Sequence, residues 1–517
     1  MRRHTLGDLL RRTAARMPAR RAIVHGDVSW SYAEFDTVCN RLAHGLAARG
    51  LRPGDRLALL SRNSHQFVAI RLAVARLGAV LVPVNFMLTA EEVAYVLGHS
   101  GARMLCVEDE FAPVARDAVT DTAVETVICL GGDASAAQAG WIPFEQVSSA
   151  DDQEPVVELD TGDLAQIIYT SGTESRPKGA MLTHDAVIWQ YVSCIIDAEI
   201  SADDVLLHAL PLYHCAQLDV FLGPAVYVGA SNVIAAQPQP EVVLPMIARH
   251  QVTSFFAPPT VWIALLRSPL FDQTDLSSLR KGYYGAAIMP VEILGELGRR
   301  LPNVRFWNLY GQTEIAPLAT VLKPDDQIRK AGSAGIPALN VETRVVDDAG
   351  RSVQPGAIGE IIHRSPHLLQ GYYEDQERTA AACEGGWFHS GDLATVDDEG
   401  YITIVDRKKD MIKTGGENVA SREVEEAIYG VDSVSEVAVI GVPHPYWIEA
   451  VVAVVVRRSG QPLTEDEIIA HCRAHLAGFK VPKRVVFLEA LPKNPSGKVL
   501  KRELRLSIGS ESGEQCK

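Results

Sequence analysis

At 517 residues, 47% hydrophobic and 22% charged, the chain is too long for one simple core and too ordinary in composition for disorder or coiled coil. A formal net charge of −15 disfavours a general nucleic-acid binder, so an anionic ligand must meet a local positive patch. Eight scattered cysteines (Cys39, Cys106, Cys129, Cys194, Cys215, Cys383, Cys472 and Cys516) form no CxxC pair and no zinc-ligand spacing, which fits free thiols in a reducing, cytoplasmic setting.

The start of the chain is arginine-rich, as a transit peptide is. Leu6, Leu9, Leu10, Ala14 and Ala15 nonetheless share one helical face that Pro18 ends, which predicts a surface helix. Residues 33–49 read as an amphipathic helix stopped by Gly50, 56–60 as a buried strand, 65–77 as a helix and 79–85 as a strand. No apolar run reaches the ~18–20 residues needed to span a bilayer. The best candidate, 70–84, is interrupted by Arg71 and Arg76. Helix 90–98 and strand 103–108 continue a βα alternation that predicts an α/β fold with mostly parallel sheets. Residues 131–160 are rich in Asp, Ala and Gly and read as surface loops.

A second α/β series is expected over 185–320, and short strands spaced by Gly, Asp and Pro over 330–405 suggest a small β subdomain. The division expected is an N-terminal domain over 1–405, a charged hinge at 406–410, and a small α+β domain over 411–517 with a frayed tail.

Four clusters carry candidate chemistry. YTSGTESRPKG (169–179) follows the apolar run Ile167-Ile168-Tyr169 and gathers hydroxyls, two glycines and Lys178, the ingredients of a phosphate-holding turn. It is not a Walker A sequence, because Lys178 is followed by Gly179 and Ala180. NLYGQTE (308–314) offers Tyr310 for stacking, Thr313 for a phosphate oxygen and Glu314 as a hard ligand for Mg²⁺; GYYGAA (282–287) upstream is small enough to wall a flat ring. In 386–419, Asp392 can take two ribose hydroxyls, Arg407 can clamp ribose or phosphate, and Gly415-Gly416 permit close backbone approach. PKNPSGKVLKREL (492–504) presents Lys498 between a glycine turn and an apolar pair. Each cluster alone has an equally plain reading as a polar turn or a solvated basic tail.

Taken in order, these motifs over about 5–505 resemble the adenylate-forming superfamily of acyl-CoA synthetases, adenylation domains and luciferases, and most nearly a fatty- or aryl-acyl-CoA synthetase. The resemblance implies a large N-terminal domain of stacked βα units with a mobile C-terminal domain. It also implies an ATP-dependent reaction in which a carboxylate attacks the α-phosphate of Mg·ATP. Coenzyme A then takes the acyl group from acyl-AMP, and AMP and pyrophosphate leave. By family pattern, Thr170, Ser171, Gly172, Thr173 and Lys178 hold the β- and γ-phosphates; Thr313 meets the α-phosphate and Glu314 the magnesium. Asn308, Tyr310, Gly311 and the Gly285-Ala286-Ala287 wall hold adenine, and Asp392 and Arg407 the ribose. Lys498 is the adenylation lysine, Lys409 the hinge, and Lys413, Gly415 and Gly416 belong to the cofactor face that lines the thiol tunnel after domain rotation.

One departure stands out: the family loop usually reads SGTTGxPKG, and here Glu174 and Ser175 replace the second Thr and the Gly. For the acid, His214 gates a pocket lined by Gln217, Tyr283, Gly285, Ala286, Leu309 and Ala316. Cys215 and Ala216 follow His214 where amino-acid-activating relatives carry an Asp, so a fatty, aryl or polycyclic acid is expected. The partners implied are the acid and coenzyme A, with a homodimer left open and no nucleic acid. Delivery to a carrier-protein thiol is the competing reading. A nucleotide-binding protein without catalysis is a third, disfavoured because Glu314 and Lys498 are both present.

Overall fold

The computed structural model describes residues 4–131, 140–170, 177–287, 289–458, 460–493 and 499–511. The βα alternation of the first hundred residues is realised with small boundary shifts. Helices occupy Tyr32–Ala48, His65–Arg76 and Ala90–Ser100, and strands Arg56–Leu60, Val80–Val84 and Met104–Val107. Reciprocal capping boxes set helix starts where the sequence places a hydroxyl three residues before a glutamate: Ser31 with Glu34, Thr89 with Glu92, and Thr464 with Glu467.

Two large sheets form the body. In the first, strands Leu164–Thr170, Val80–Val84, Arg56–Leu60, Met104–Val107 and Thr126–Cys129 run parallel, and Lys178–Thr183 and Gly371–Tyr372 add antiparallel strands at one edge. In the second, Arg305–Gly311, Lys281–Gly285, Ser254–Phe256, Val205–His208, Ser231–Ile234 and Arg21–His25 are parallel neighbours. The run 330–405 contributes most of a four-stranded antiparallel sheet, Glu342–Val346, Gly359–Arg364, Phe388–Val396 and Ile402–Arg407. A last sheet over Ile412–Leu488 packs on helices Ser421–Tyr429 and Glu465–His475.

The first helix, Leu6–Arg16, buries Leu6, Leu9 and Leu10. Asp8 goes in with them because the Thr5 amide and hydroxyl both donate to its Oδ2, at 2.8 and 3.0 Å. The two arginines that break the apolar run are buried rather than exposed. Arg71 pairs with Asp219 at 3.2 Å, and Arg76 bonds Asp36 and Asn40. Asp219 also accepts from Gln166 (2.7 Å) and Tyr191 (3.0 Å), so its buried carboxylate is matched on both oxygens. Among the described residues no helix is long and apolar enough to cross a membrane.

Four buried histidines, His184, His208, His363 and His367, are each pushed down by burial to about 4. Their folded values lie below the ordinary 6.5, so the unfolded chain binds protons that the fold refuses. Stability is therefore full above about pH 6.5 and falls as the pH drops towards 4. The urea midpoint should be lower at pH 5 than at pH 7.5, and His363→Gln should flatten that slope; equal midpoints at the two pH values would contradict the assignment.

Candidate functional site

In parallel α/β sheets, ligands gather at the carboxyl ends of the strands. Gly285 ends one strand and Tyr310-Gly311 end its neighbour. Both strand ends are crowded at backbone level: a Cβ on Gly285 would sit 2.3 Å from the Leu309 carbonyl oxygen, and one on Gly311 would sit 1.7 Å from that of Pro317. Ala286 follows at φ 61°, in the left-handed region, and Ala286 and Ala287 are exposed. The wall expected against adenine is thus a turn of small residues open to solvent on one side.

The segment 310–314 is pinned from three directions. Tyr310 and Gln312 both donate to Asp392 Oδ2, at 2.7 and 2.8 Å, and Gln312 also donates to the Ser390 carbonyl at 3.1 Å. Arg407, the cross-strand partner of Asp392, places Nε 3.0 Å from Oδ1, yet that buried oxygen accepts no well-aligned hydrogen bond. One lobe of the carboxylate is fixed and the other keeps acceptor capacity. Burial, and then the neighbouring Asp392 charge, hold the Tyr310 phenol far above its usual range, so Tyr310 stays a donor.

Glu314 sits in the short turn Thr313–Ile315. Tyr372, from the edge of the other large sheet, donates to its Oε1 at 2.9 Å, and the Leu369 amide donates to its carbonyl at 2.8 Å. Lys178 Nζ lies 4.9 Å from the centre of the Tyr372 ring. Thr170 and Lys178 face each other across two paired strands, at either end of the segment expected to hold phosphate. The turn lysine, the tyrosine and the glutamate therefore form one line between the two sheets. Thr313 Oγ1 is 3.3 Å from Cys215 Sγ, in the His214–Gln217 segment. Burial raises the Cys215 thiol to about 12, so it is an uncharged packing group.

The remaining expected residues divide. Asn308 is buried and its amide donates to the Ser333 carbonyl at 2.9 Å. His214 Nδ1 accepts from the Ala216 amide at 3.1 Å. Leu309 and Tyr283 lie in one apolar cluster, and the Tyr283 hydroxyl donates to the Ala198 carbonyl at 2.7 Å. Ala316 is fully buried in another cluster, at φ 67°. Lys409 is exposed in the hinge turn. Gly415 and Gly416 take positive φ, 60° and 88°, and the Gly415 amide donates to the Trp447 carbonyl at 2.8 Å. The Lys413 amide donates to Glu449 at 2.7 Å. Among the described residues no hydrogen bond or ion pair joins this glycine turn to the 310–314 cluster. Ser171, Gly172, Thr173, Glu174, Ser175 and Lys498 lie outside the described residues.

Sequence reasoning did not single out Tyr372 or Gln312, although Gln312 stands inside the YGQTE motif. Tyr372→Phe isolates one contact, since it keeps the ring beside Lys178 and deletes the donor to Glu314. A hydrogen bond to a charged group contributes about 1.5–3 kcal/mol. The variant should stay folded and lower kcat/KM for ATP roughly tenfold or more; an unchanged kcat/KM would show that Glu314 needs no such support.

Residues 10–373 match the AMP-binding enzyme family and residues 423–498 the AMP-binding enzyme C-terminal domain. A feruloyl-CoA synthase of Amycolatopsis sp is 39% identical, covering 98% of this chain and all of the relative. The long-chain-fatty-acid–CoA ligase FadD13 of Mycobacterium tuberculosis is 36% identical over 97% of this chain and 98% of its own. The crystal structure of the anthranilate CoA ligase AuaEII with anthranoyl-AMP superposes with a TM-score of 0.91 at 26% identity, over 99% of this chain and 98% of that one. The α/β architecture, the full-length likeness and the turn that joins the sheets agree, and the chain belongs to the AMP-binding enzyme family of the adenylate-forming superfamily, as an ATP-dependent acyl-CoA ligase.

Proposed function

We propose that the protein activates a non-amino-acid carboxylic acid, fatty or aryl, through its acyl adenylate and delivers it to coenzyme A. The observation that carries this reading is the 310–314 turn, whose Tyr310 and Gln312 hold Asp392, whose Glu314 is held by Tyr372 and whose Thr313 hydroxyl meets Cys215. In the reaction, the substrate carboxylate attacks the α-phosphorus of ATP and the bond to the pyrophosphate oxygen breaks. The thiol then attacks the acyl carbonyl and AMP leaves. Such transfers depend on positioning and charge stabilisation rather than covalent chemistry by the protein.

Thr313 would donate to an α-phosphate oxygen and Lys178 would face the outer phosphates from its place beside Tyr372. Asp392, with Tyr310 and Gln312 on one oxygen, would turn the other towards the ribose hydroxyls, and Arg407 would close that clamp. Glu314 suits Mg²⁺: Tyr372 occupies Oε1, which leaves the second oxygen for a hard cation. When bound, the ion neutralises charge that develops on the phosphates. Lys498 would bridge the carboxylate and the α-phosphate for the first step. The domain over 411–517, turning at Lys409, would then present the Gly415-Gly416 face to the thiol. Free, largely buried cysteines support a cytoplasmic setting.

The acid range draws on relatives whose printed activities are feruloyl-CoA synthase, indoleacetate–CoA ligase and long-chain-fatty-acid–CoA ligase. A carrier-protein acceptor is the second reading, favoured by a 33% identical fatty acid–[acyl-carrier-protein] ligase of Streptomyces coeruleorubidus. AMP release should depend on an acid from a panel of fatty, aryl and polycyclic acids and should accelerate with coenzyme A; acceleration by a carrier protein alone would favour the second reading. Lys498→Ala should cut acid-dependent AMP formation at least 100-fold while sparing thioester formation from supplied acyl-AMP; equal loss of both steps would refute the assigned role.

A further inference from the structure

A crevice lies between the second large sheet and the π-helical turn Ala216–Leu222, lined by Leu206, His208, Gln217, Phe221, Phe256 and Tyr283. Such turns recur at functional sites. Phe221 stacks on Phe256 with ring centres 4.5 Å apart and meets Tyr283 at 5.0 Å, which makes flat walls. One wall carries a polar atom whose character is fixed by a chain of contacts starting at the backbone. Asn232 Nδ2 donates to the carbonyls of Ala22 and Ala230, at 3.0 and 3.1 Å, so Oδ1 must point the other way. That oxygen is 2.9 Å from His208 Nε2, which must therefore carry the proton. A neutral ring leaves His208 Nδ1 as an acceptor, and burial keeps it neutral by holding its pKa near 4. Gln217 Nε2 donates to Nδ1 at 2.7 Å. Gln217 Oε1 is consequently locked as an acceptor, and it has no partner although Gln217 is 1% exposed.

Other buried polar atoms among the described residues also lack partners, and Arg71 Nη1 shows how such an atom can be served by the space beside it. Arg71 Nη1 borders a cavity with room for about one water molecule, which would satisfy it. The walls beside Gln217 touch, leaving no room for water. An unpaired buried acceptor costs about 1–3 kcal/mol. A group that parts the walls and brings its own donor removes that cost. Gln217 lies two residues beyond Cys215, whose thiol touches the Thr313 hydroxyl. The acceptor thus stands on the segment that meets the Thr313 hydroxyl, among the residues expected to line the acid pocket.

We propose that Gln217, oriented by the Asn232–His208 relay, is a specificity contact that selects aryl acids bearing a hydrogen-bond donor, such as a phenolic hydroxyl, on the ring end remote from the carboxylate. This rests on the ligase reading above and names its substrate class. Sites built to hydrogen-bond a substrate hydroxyl reject the analogue lacking it by large factors. The test compares acid-dependent AMP release for 4-hydroxycinnamate, 4-methoxycinnamate and cinnamate. The wild-type protein should favour the hydroxylated acid by roughly 100-fold or more in kcat/KM over both others. Gln217→Met keeps length and removes the acceptor, and should bring the three acids to within about threefold of one another. Equal wild-type values for hydroxylated and unsubstituted acids would overturn the inference without any variant, as would turnover of fatty acids alone. A preference that survives Gln217→Met would overturn the assigned contact. AMP release from no acid at all would overturn the ligase reading and this inference with it.

Discussion

The Asp392 carboxylate is the group on which the site turns. It is 4% exposed, and a buried carboxylate is tolerated only where donors and a positive charge meet it. Tyr310, Gln312 and Arg407 supply these. The first two belong to the end of a strand in a nine-stranded sheet, while Asp392 and Arg407 pair across the four-stranded sheet. This desolvated charge is one tie between the small sheet and the large one, beside the Ser333–Ile402 and Lys330–Asp397 contacts. Because Tyr310 and Gln312 use only one carboxylate oxygen, the same contact leaves a held, buried acceptor on the side where ribose is expected. Structural anchoring and ligand readiness are two lobes of one group.

The other large sheet is tied to the same segment, 310–314, by different chemistry. Tyr372 reaches Glu314, Lys178 lies against the ring of Tyr372, and the Leu369 amide holds the Glu314 carbonyl. Beyond Arg407 the chain passes to the small domain through another buried charge group. Asp406 accepts from the amide and hydroxyl of Ser421, both at 2.7 Å; Lys501 donates to that hydroxyl at 2.6 Å and pairs with Glu425 at 2.7 Å. The acidic neighbours Glu425 and Asp406 outweigh burial and keep Lys501 charged. Asp406 and Arg407 are adjacent in sequence, so the clamp proposed for ribose and the domain junction share one strand. A change in the junction reaches the clamp with no intermediate element.

Much of this was legible beforehand because the early elements obey local rules. Strand Arg56–Leu60 appears at the expected residues, and helix Ala90–Ser100 begins where Thr89 and Glu92 form a capping box. The motif residues were legible for another reason: their order along the chain is specific even where each piece is not. What escaped was pairing at long range. Tyr372 is 58 positions from Glu314, and Gln312 is 80 from Asp392. Neither tyrosine nor glutamine announces its partner, since both serve equally well as surface residues. Arg71 and Arg76 were read as interruptions of an apolar run, and each is instead the buried half of a pair whose other half is distant in sequence or in another motif. Pattern reading assigns charge to the surface by default, and it fails where a carboxylate from elsewhere in the fold arrives to match it.

The same contrast separates the two buried amide and carboxylate systems next to the acid pocket. Asp219 and Gln217 stand two residues apart on one π-helical turn and face opposite ways. Asp219 is met by Arg71, Tyr191 and Gln166, so nothing further is needed there and its role is to hold the turn against the first helices. Gln217 is met on its nitrogen and not on its oxygen. A turn fixed rigidly by one side chain can present another without letting it relax towards an internal partner. The unsatisfied oxygen persists because the satisfied carboxylate two residues away keeps the turn in place, and an entering ring with a donor is the group that completes the pattern.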